Sequence, residues 1–272
     1  MSIISEASVR RVGRLLKRTL PARQRTFLKG LAGRCLFSRN LRLLATMYGS
    51  DKWGQHWYAR HYERHFSSLR RKPIVLLEIG IGGYDDPRAG GASLRMWKHY
   101  FPRGRIHGVD ICDKSPQDED RIRTFVGDQS DEKFLRQLIS EIGRPDIVID
   151  DGSHINSHMI KSFEVLFPLL ADDGIYVMED TGSSYWPDFG GSSEDLTSAR
   201  TSMCMLKGLV DGLNHREFML RDYQPSYFDA HIVSMHFYHN LVFCYKGQNL
   251  EEGNRRPQDT DLLRRPSNRG TS

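Results

Sequence analysis

Short apolar and β-branched runs alternate with segments of helical periodicity through the central part of the chain. The runs cover residues 74–79, 105–109, 124–126, 147–149 and 175–178, and the helical segments between them cover 93–100, 131–142 and 157–170. Alternation of this kind is typical of βαβ units in a parallel sheet. The sequence therefore predicts an α/β fold of the Rossmann-like type, with a doubly wound and mostly parallel sheet.

Two apolar runs near the C-terminus predict a different kind of pairing. Residues 231–237 and 240–245 are separated by Tyr238 and His239, so we expect an antiparallel hairpin at the edge of the sheet. The chain after Gly247 is rich in Arg, Asp, Pro, Ser and Gly. Because such a segment has little apolar surface to bury, residues 248–272 are predicted to be disordered. Residues 46–247 then form the main domain.

The first 45 residues are basic and helical in pattern. Val9, Val12, Leu15 and Leu16 recur at helical spacing among arginines, which predicts an amphipathic helix over 7–20, and residues 27–44 predict one or two more helices. The interpretations that remain open are a helical cap on the core, a homodimer contact, and docking to an anionic membrane surface. Nucleic-acid binding is disfavoured, because no recognisable binding module accompanies the charge.

Composition limits the class of protein. The 272 residues are 39% hydrophobic and 27% charged, with a formal net charge of +5. No apolar run approaches the roughly 20 residues that span a bilayer. The four cysteines lie far apart and no signal peptide is visible, so we expect reduced thiols in a cytoplasmic protein. Peripheral contact with the inner membrane surface through residues 1–45 is the alternative location.

A glycine turn follows the first predicted strand, in the sequence Leu-Leu-Glu-Ile-Gly-Ile-Gly-Gly of residues 76–83. Gly80 and Gly82 permit the backbone conformations of a tight turn and the close approach of a ligand. The loop after Gly83 is long, and Glu78 precedes the glycines, where its carboxylate suits a cationic or hydroxyl-bearing ligand. Both features differ from a dinucleotide site, so the turn predicts a cofactor without phosphate.

Polar side chains also end the second and third predicted strands. Asp110 can accept both hydrogen bonds of a ribose diol, although it can equally be a helix cap. Asp128 and Gln129 stand where a carboxylate and an amide can contact an adenine edge. The alternative for Asp128 is that it caps the helix that begins near residue 131.

Carboxylates accumulate at the ends of the next two strands. Asp151 follows one strand, and Glu179 and Asp180 follow the other, so all three are expected at the same edge of the sheet. A divalent cation such as Mg²⁺ would compensate their repulsion, which makes them the predicted ligand set. Asp150 can replace Asp151, because adjacent strand residues point to opposite faces. Helix caps paired with Lys or Arg are the alternative without a metal.

His154 lies three residues beyond Asp151 and is the predicted general base. An ordinary imidazole titrates near pH 6.5, close to the working pH of most enzymes. A metal ion that chelates two vicinal oxygens lowers the pKa of a hydroxyl, so the arrangement suits a diol substrate. His158, four residues further on, is the second candidate for the base.

These motifs together resemble a known family. The carriers of the resemblance are Tyr48-Gly-Ser-Asp-Lys-Trp53, residues 77–84 and 91–97, Gly127-Asp-Gln-Ser130, Asp150-Asp-Gly-Ser-His154 and Glu179-Asp180. Over residues 48–247 the chain is similar to the metal-dependent sugar O-methyltransferases of macrolide biosynthesis, of the mycinamicin and macrocin type. The resemblance implies a class I methyltransferase fold and methyl transfer from S-adenosylmethionine to a hydroxyl of a sugar on a natural product, glycolipid or polysaccharide.

The resemblance also implies roles for individual residues. Mg²⁺ would be held by Asp151, Glu179 and Asp180, with His154 as the base. S-adenosylmethionine would be contacted by Ser50, Gly80, Gly82, Ser93, Asp110, Asp128 and Gln129. Two other functions stay open at this point: O-methylation of a catechol-like molecule, and a basic RNA-modifying or nucleic-acid-binding protein. The aromatic segments 53–65 and 184–189 are either sugar-stacking surfaces or packing under a lid.

Overall fold

The computed structural model describes residues 5–220 and 222–254 and contains a seven-stranded sheet. The strand order is β3-β2-β1-β4-β5-β7-β6, with β1 to β5 parallel and β7 antiparallel to both of its neighbours. The strands are β1 (Val75–Ile79), β2 (Arg105–Asp110), β3 (Ile122–Val126), β4 (Ile147–Asp150), β5 (Ile175–Glu179), β6 (Ile232–Tyr238) and β7 (Leu241–Lys246). The mostly parallel sheet and its terminal antiparallel hairpin are confirmed.

Helices cover both faces of the sheet. They are α1 (Glu6–Thr19), α2 (Ala22–Ala32), α3 (Leu41–Tyr48), α4 (Ala59–Phe66), α5 (Ala92–Tyr100), α6 (Glu132–Ile142), α7 (Asn156–Leu169), α8 (Ser202–Leu213) and α9 (Tyr227–His231). The three helices predicted between the strands correspond to α5, α6 and α7. Helix α4 overlaps the aromatic segment 53–65, where the sequence pattern predicts no helix. Its Ala59, Tyr62, His65 and Phe66 are buried at helical spacing, while charged and His residues occupy the other positions.

The hydrophobic core has one layer on each side of the sheet. Successive residues of β1 alternate between the layers: Leu76 packs with Tyr62 and Trp97, whereas Leu77 packs with Leu138 and Phe163. Strands buried on both faces require helices on both sides. The doubly wound arrangement therefore follows from continuous apolar strands, and it leaves the carboxyl ends of the strands open at one edge.

The N-terminal helices pack partly on this core. Helix α1 begins after Ser5, whose side chain accepts a hydrogen bond from the Ser8 amide, and it ends close to the position predicted from Pro21. Val9 is buried in the core, whereas Val12 and Leu15 are 53% and 60% exposed. Helix α3 crosses the boundary predicted at 45/46, and its buried residues join the same core layer as Tyr62. These contacts support the interpretation of a helical cap.

Other expectations meet the structure only in part. In the described residues, no helix is both long and apolar enough to cross a bilayer. Cys112, Cys204 and Cys244 are free thiols. Within the segment that follows β7, the Asn249 side-chain amide donates to the carbonyls of Leu213 and Asp229. Residues 255–272, which belong to the predicted disordered tail, lie outside the described residues.

Candidate active site

A cavity of about 990 Å³ opens at the carboxyl ends of the parallel strands. Its wall includes most of the residues that the sequence singled out: Ser50, Gly80, Gly82, Ser93, Asp110, Asp128, Gln129, Asp151, His154 and Asp180. Glu78 and Glu179 are fully enclosed beneath this wall, at 0% and 2% exposure. All of the predicted cofactor residues except Glu78, and all of the predicted metal ligands except Glu179, therefore line one cavity.

The glycine turn after β1 is sterically required. Gly80 and Gly82 have φ values of +87° and +74°, in the left-handed region that favours glycine. A Cβ atom on Gly80 would lie 1.9 Å from the carbonyl oxygen of Asp151. The turn after β1 thus packs directly against the chain that leaves β4, and a side chain at Gly80 would separate the two.

Asp110 lies at the end of β2 with its carboxylate fixed by backbone amides. Its Oδ2 accepts from the Ile81 amide and its Oδ1 from the Cys112 amide, both at 3.0 Å. The chain then continues as a loop, so the alternative interpretation of Asp110 as a helix cap is wrong. A carboxylate offers about four acceptor positions, and each oxygen keeps one for a ligand.

Asp128 and Gln129 have partners inside the protein. Asp128 Oδ1 accepts from the amide and hydroxyl of Ser130, both at 2.7 Å. The residue that caps α6 is Asp131, so the alternative interpretation of Asp128 as that cap is wrong. Gln129 donates from Nε2 to Asp150 at 3.0 Å and accepts at Oε1 from the Ser153 amide at 2.7 Å. Gln129 therefore braces the loop that carries His154.

Glu78 is enclosed behind the cofactor side of the cavity. Its Oε2 accepts from the Ser93 hydroxyl at 2.8 Å, and its Oε1 lies 3.4 Å from Lys52 Nζ. Burial raises the pKa of Glu78 to about 7, against the opposing effect of the Lys52 charge. Ser93, which donates to Glu78, lines the cavity, whereas Glu78 itself does not, and the contact of Glu78 with a cofactor remains a prediction.

Lys52 joins the buried carboxylates. Its Nζ lies 2.7 Å from Asp151 Oδ2 and 2.7 Å from Glu179 Oε1, and the lysine itself is 0% exposed. Burial raises the pKa of both carboxyl groups, and the ammonium acts against that rise. Burial alone would lower the pKa of Lys52, but the neighbouring carboxylates raise it well above its ordinary value. The Lys52 side chain is therefore a positively charged group that the chain itself supplies among these carboxylates.

Two tyrosines, Tyr58 and Tyr62, donate hydrogen bonds to the carboxylates of Asp180 and Glu179. Tyr58 donates to Asp180 Oδ1 at 2.6 Å, and Tyr62 donates a short hydrogen bond to Glu179 Oε1. Glu179 Oε2 accepts no hydrogen bond from the described residues. Each carboxylate is thus fixed through one oxygen and keeps the other, which is the arrangement expected of pre-oriented metal ligands.

The acidic residues form two overlapping groups whose ligand atoms lie within 4.8 Å of one another. The outer group is Asp151, His154 and Asp180, and the inner group is Glu78, Asp151 and Glu179. Asp151 belongs to both, whereas Glu179 and Asp180 are divided between them. Carboxylate oxygens are the donors that Mg²⁺ prefers, so the chemistry of the set fits this ion. The full trio Asp151, Glu179 and Asp180 remains a prediction.

Asp150 points away from these groups. Its carboxylate is buried on the opposite side of β4, where it accepts hydrogen bonds from Gln129, Ser162 and Tyr176. Ser162 lies in α7, Tyr176 lies in β5, and Gln129 lies in the loop between β3 and α6, so these partners belong to the packing on that side of β4. The alternative that Asp150 replaces Asp151 in the ligand set is therefore not supported by the geometry.

His154 faces the two carboxylates of the outer group, those of Asp151 and Asp180. Its Nε2 lies 3.7 Å from Asp180 Oδ2 and 4.0 Å from Asp151 Oδ1, and its φ of +57° turns the loop sharply at this residue. Its Nδ1 is buried, and no described residue provides it with a hydrogen-bond partner. His158, the second candidate, also lines the cavity but contacts the Ser153 hydroxyl at 3.1 Å. The structure thus places His154 closer to the carboxylates.

Sequence reasoning did not assign roles to Lys52, Tyr58 and Tyr62. Lys52 lies within the motif 48–53 that carries the resemblance, so its position was marked but its charge was not used. Tyr58 and Tyr62 are four residues apart, a spacing that places two side chains on one face of a helix. That spacing was a usable signal, but their carboxylate partners lie 122 and 117 residues away in sequence.

Both aromatic segments have exposed rings, and the first also has buried ones. Tyr58 and Tyr62 in the first segment are buried and serve the carboxylates, so this part is packing. Trp57 in the same segment is 55% exposed, and Trp186 in the second is 53% exposed. Phe189 lines the cavity, with its ring 5.7 Å from that of Trp186. The exposed aromatic surface beside the cavity thus includes Trp186.

Known proteins with similar sequences are O-methyltransferases. The chain is 48% identical over 246 residues to demethylmacrocin O-methyltransferase of Streptomyces fradiae, covering 89% of this chain and 62% of the relative. It is 49% identical over 239 residues to 8-demethyl-8-alpha-L-rhamnosyl tetracenomycin-C 2'-O-methyltransferase of Streptomyces olivaceus, covering 88% and 60%. The chain therefore spans about 60% of the length of these curated relatives. No protein-family model matches the sequence.

Solved structures agree with the sequence comparison. The chain is 47% identical to MycE methyltransferase of the mycinamycin biosynthetic pathway in complex with Mg and SAH, with a TM-score of 0.78, covering 82% of this chain and 59% of that one. A second structure of the same enzyme also contains mycinamycin VI, at the same identity and TM-score. By fold and by nearly half of its aligned residues, the chain is similar to sugar O-methyltransferases of the class I methyltransferase fold.

Proposed function

We propose that this protein transfers a methyl group from S-adenosylmethionine to a sugar hydroxyl in a reaction that depends on a divalent metal. The observation that carries the proposal is the meeting, in one cavity, of a glycine turn with Asp110 on one side and His154 with Asp151 and Asp180 on the other. The relatives named as sugar O-methyltransferases, and the MycE structures with Mg and SAH, support the same assignment.

On the cofactor side, the backbone of the glycine turn lets the ligand approach β1, and Asp110 accepts hydrogen bonds from the ribose diol. Ser50, Ser93 and Asp128 line the same part of the cavity and complete the proposed contact set. Gln129 holds the loop between β4 and α7, so its contribution to adenine binding comes from the shape of the wall. No phosphate-binding helix N-terminus is required by this set.

On the reaction side, Asp151, Glu179 and Asp180 are the proposed metal ligands, each with one oxygen held by a protein donor. A bound Mg²⁺ supplies a Lewis acid that lowers the pKa of the acceptor hydroxyl. His154 Nε2 takes the proton as the new oxygen–methyl bond forms, the sulfur–methyl bond breaks and S-adenosylhomocysteine leaves. His154 is well placed for this because its Nε2 is within 4.0 Å of carboxylates from two strand ends.

We propose that the acceptor is a sugar on a glycosylated natural product, a glycolipid or a polysaccharide. The compounds in the relatives' names, such as demethylmacrocin and a rhamnosyl tetracenomycin, support this class. The rim of the cavity includes Gln55 and His56 together with Phe189. Polar groups beside an aromatic ring suit a sugar, whose hydroxyls form hydrogen bonds and whose C–H face packs on aromatic rings.

The exposed face of α1 is a proposed contact between two copies of the chain. Val12 and Leu15 are more than half exposed, although their neighbour Val9 is buried. Val12→Ser with Leu15→Ser should weaken self-association in sedimentation experiments. Flotation of the wild type with anionic liposomes, together with monomeric behaviour, would favour a peripheral membrane contact instead.

The function is tested by calorimetry followed by methyl transfer in the same preparation. We expect S-adenosylmethionine to bind, and we expect Mg²⁺ to be required for transfer to a panel of deoxysugar and mannoside acceptors. Full turnover in the presence of excess chelator would contradict the metal requirement. A protein that binds no S-adenosylmethionine would contradict the methyltransferase assignment itself.

A further inference from the structure

Lys52 Nζ occupies the centre of the inner carboxylate group. It lies 2.7 Å from oxygens of Asp151 and Glu179 and 3.4 Å from Glu78 Oε1. These three acidic side chains are also one of the two groups whose oxygens are close enough together to hold a metal ion. A position that suits a cation is therefore already filled by a cation that is part of the chain.

Charge balance explains why a cation is needed there. Glu78 and Glu179 have side chains that are 0% and 2% exposed, and that of Asp151 is 18% exposed. Buried carboxylates at this spacing repel each other and are costly to ionise without a compensating charge. The Lys52 ammonium donates hydrogen bonds to Asp151 and Glu179 and forms an ion pair with Glu78, so its charge faces all three carboxylates. No metal is required to stabilise the inner group.

The outer group faces the cavity from the other side of Asp151. Asp151 turns Oδ2 to Lys52, whereas its Oδ1 is the atom near His154. Asp180 likewise gives Oδ1 to Tyr58 and turns Oδ2 to His154. Asp151 thus separates two adjacent cation positions, and two divalent ions placed there would share its carboxylate.

We infer that Lys52 is a positioning residue that fills the cation position between Glu78, Asp151 and Glu179, and so limits the site to one divalent cation on the cavity side of Asp151. The inference rests on the proposed metal-dependent function. It assigns to Lys52 the position that a second metal ion occupies in two-metal sites, where the ions lie about 3.5–4 Å apart. It gives the lysine no direct part in methyl transfer.

The backbone around Lys52 is built to hold this position. The Lys52 amide donates to the Ser50 hydroxyl at 3.3 Å, and the Lys52 carbonyl accepts from the Ala59 amide at 2.9 Å. Ser50 lines the cavity, and α4, which begins at Ala59, carries Tyr62 to Glu179. The segment from Ser50 to Tyr62 therefore places both the Lys52 ammonium and the Tyr62 hydroxyl beside the carboxylate of Glu179.

The test is the stoichiometry of Mn²⁺ binding to the whole chain, measured by titration with electron paramagnetic resonance. We expect one Mn²⁺ per chain in the wild type, with the spectrum of an isolated ion. Lys52→Met should admit a second Mn²⁺, and the two ions should show magnetic coupling because they share Asp151. Lys52→Arg keeps the charge and should still bind one ion.

Lys246→Met is the matched control, because it removes another buried lysine whose Nζ contacts the carbonyls of Pro168 and Leu170. It should bind one Mn²⁺. Two ions in the wild type would overturn the inference, and this measurement does not depend on the folding of any variant. A folded Lys52→Met protein that binds one ion with unchanged affinity would also overturn it. Absence of Mn²⁺ binding in the wild type would instead overturn the proposed metal-dependent function.

Discussion

The two halves of the cavity are constructed differently. The cofactor half, at the ends of β1, β2 and β3, is shaped by backbone: glycines with positive φ, and an Asp110 carboxylate fixed by two amides. The acid half, at the ends of β4 and β5, is shaped by side chains from distant segments, with Lys52 and two tyrosines holding three carboxylates. The first half depends on local turns, whereas the second depends on long-range packing.

Asp151→Ala should have the largest effect and should separate the halves most clearly. It removes the carboxylate shared by both acidic groups and leaves Lys52 facing fewer acids. We expect turnover to fall below detection, because several kcal/mol of Lewis-acid stabilisation would be lost. Calorimetry should still detect S-adenosylmethionine binding. Asp211→Asn, at an exposed position of α8, is the control for loss of one acidic group.

His154→Ala should reduce turnover by about 10² to 10⁴, the usual contribution of a general base. The binding of cofactor and of Mn²⁺ should change little, because His154 is expected to accept a proton and no predicted ligand is removed. His158→Ala is the matched comparison and should reduce turnover much less. Equal losses of turnover in the two variants, or wild-type turnover in His154→Ala, would contradict the assignment of His154 as the general base.

Asp110→Asn addresses the cofactor half. One carboxylate oxygen becomes an amide group, so an acceptor for the ribose diol and for one backbone amide is lost. We expect the Kd of S-adenosylmethionine to rise by about 10- to 100-fold, since a hydrogen bond to a charged group contributes about 1.5–3 kcal/mol. Mn²⁺ affinity should stay unchanged. Asp113→Asn, an exposed neighbour, is the control.

Tyr58→Phe removes the donor that orients Asp180 while retaining the ring. Loss of a group that orients a metal ligand usually lowers metal affinity by about 10- to 100-fold, and we expect the lower end because the outer carboxylates are partly exposed. Mn²⁺ titration provides the measurement, with Tyr227→Phe as a control at an exposed tyrosine. A larger loss in cofactor affinity than in Mn²⁺ affinity would contradict the division between the halves.

The smallest expected effect is on the pH dependence of folding stability, through two buried histidines in the sheet and in α4. Burial lowers the pKa of His107 in β2 and of His65 in α4 to about 4. Because the unfolded chain binds the proton near pH 6.5, the stability contributed by each neutral ring is complete above that pH and is lost as pH falls toward 4. Between pH 6.5 and 5.5 this amounts to about 1 kcal/mol per ring.

Thermal unfolding across that pH range checks the prediction. His107→Leu should make the curve shallower, because it removes a group whose pKa is lowered by folding. It should leave the stability at neutral pH intact, because neither ring nitrogen of His107 has a hydrogen-bond partner among the described residues. His65→Leu should also flatten the curve but should lower stability at neutral pH, since His65 contacts the hydroxyls of Tyr238 and Tyr245. A wild-type midpoint that is independent of pH would contradict both assignments.

The same division explains what could be predicted from the sequence. The strands, the glycine turn and the acidic residues at strand ends can be recognised from short local sequence patterns. The sheet was therefore predicted correctly, and the glycine turn lies in the cavity as expected. Lys52 contacts Asp151 and Glu179, which lie 99 and 127 residues away in sequence. A local sequence pattern does not indicate which distant carboxylates a lysine will contact. Helix α4 was missed because its buried positions are aromatic residues mixed with His and Arg.

The terminal hairpin closes the acid half. Leu241 in β7 is paired with Glu179, and the carbonyl of Asn240 at the hairpin turn accepts a second hydrogen bond from Tyr58. The acid half therefore depends on chain segments separated by up to 182 residues, whose closure is slow compared with local turns. During folding, the Tyr58 hydroxyl that orients Asp180 acquires its contact with Asn240 only after the last strand has inserted. A folding intermediate without the hairpin would therefore hold Asp180 less firmly than Asp151 and Glu179, whose partners Lys52 and Tyr62 lie outside the hairpin.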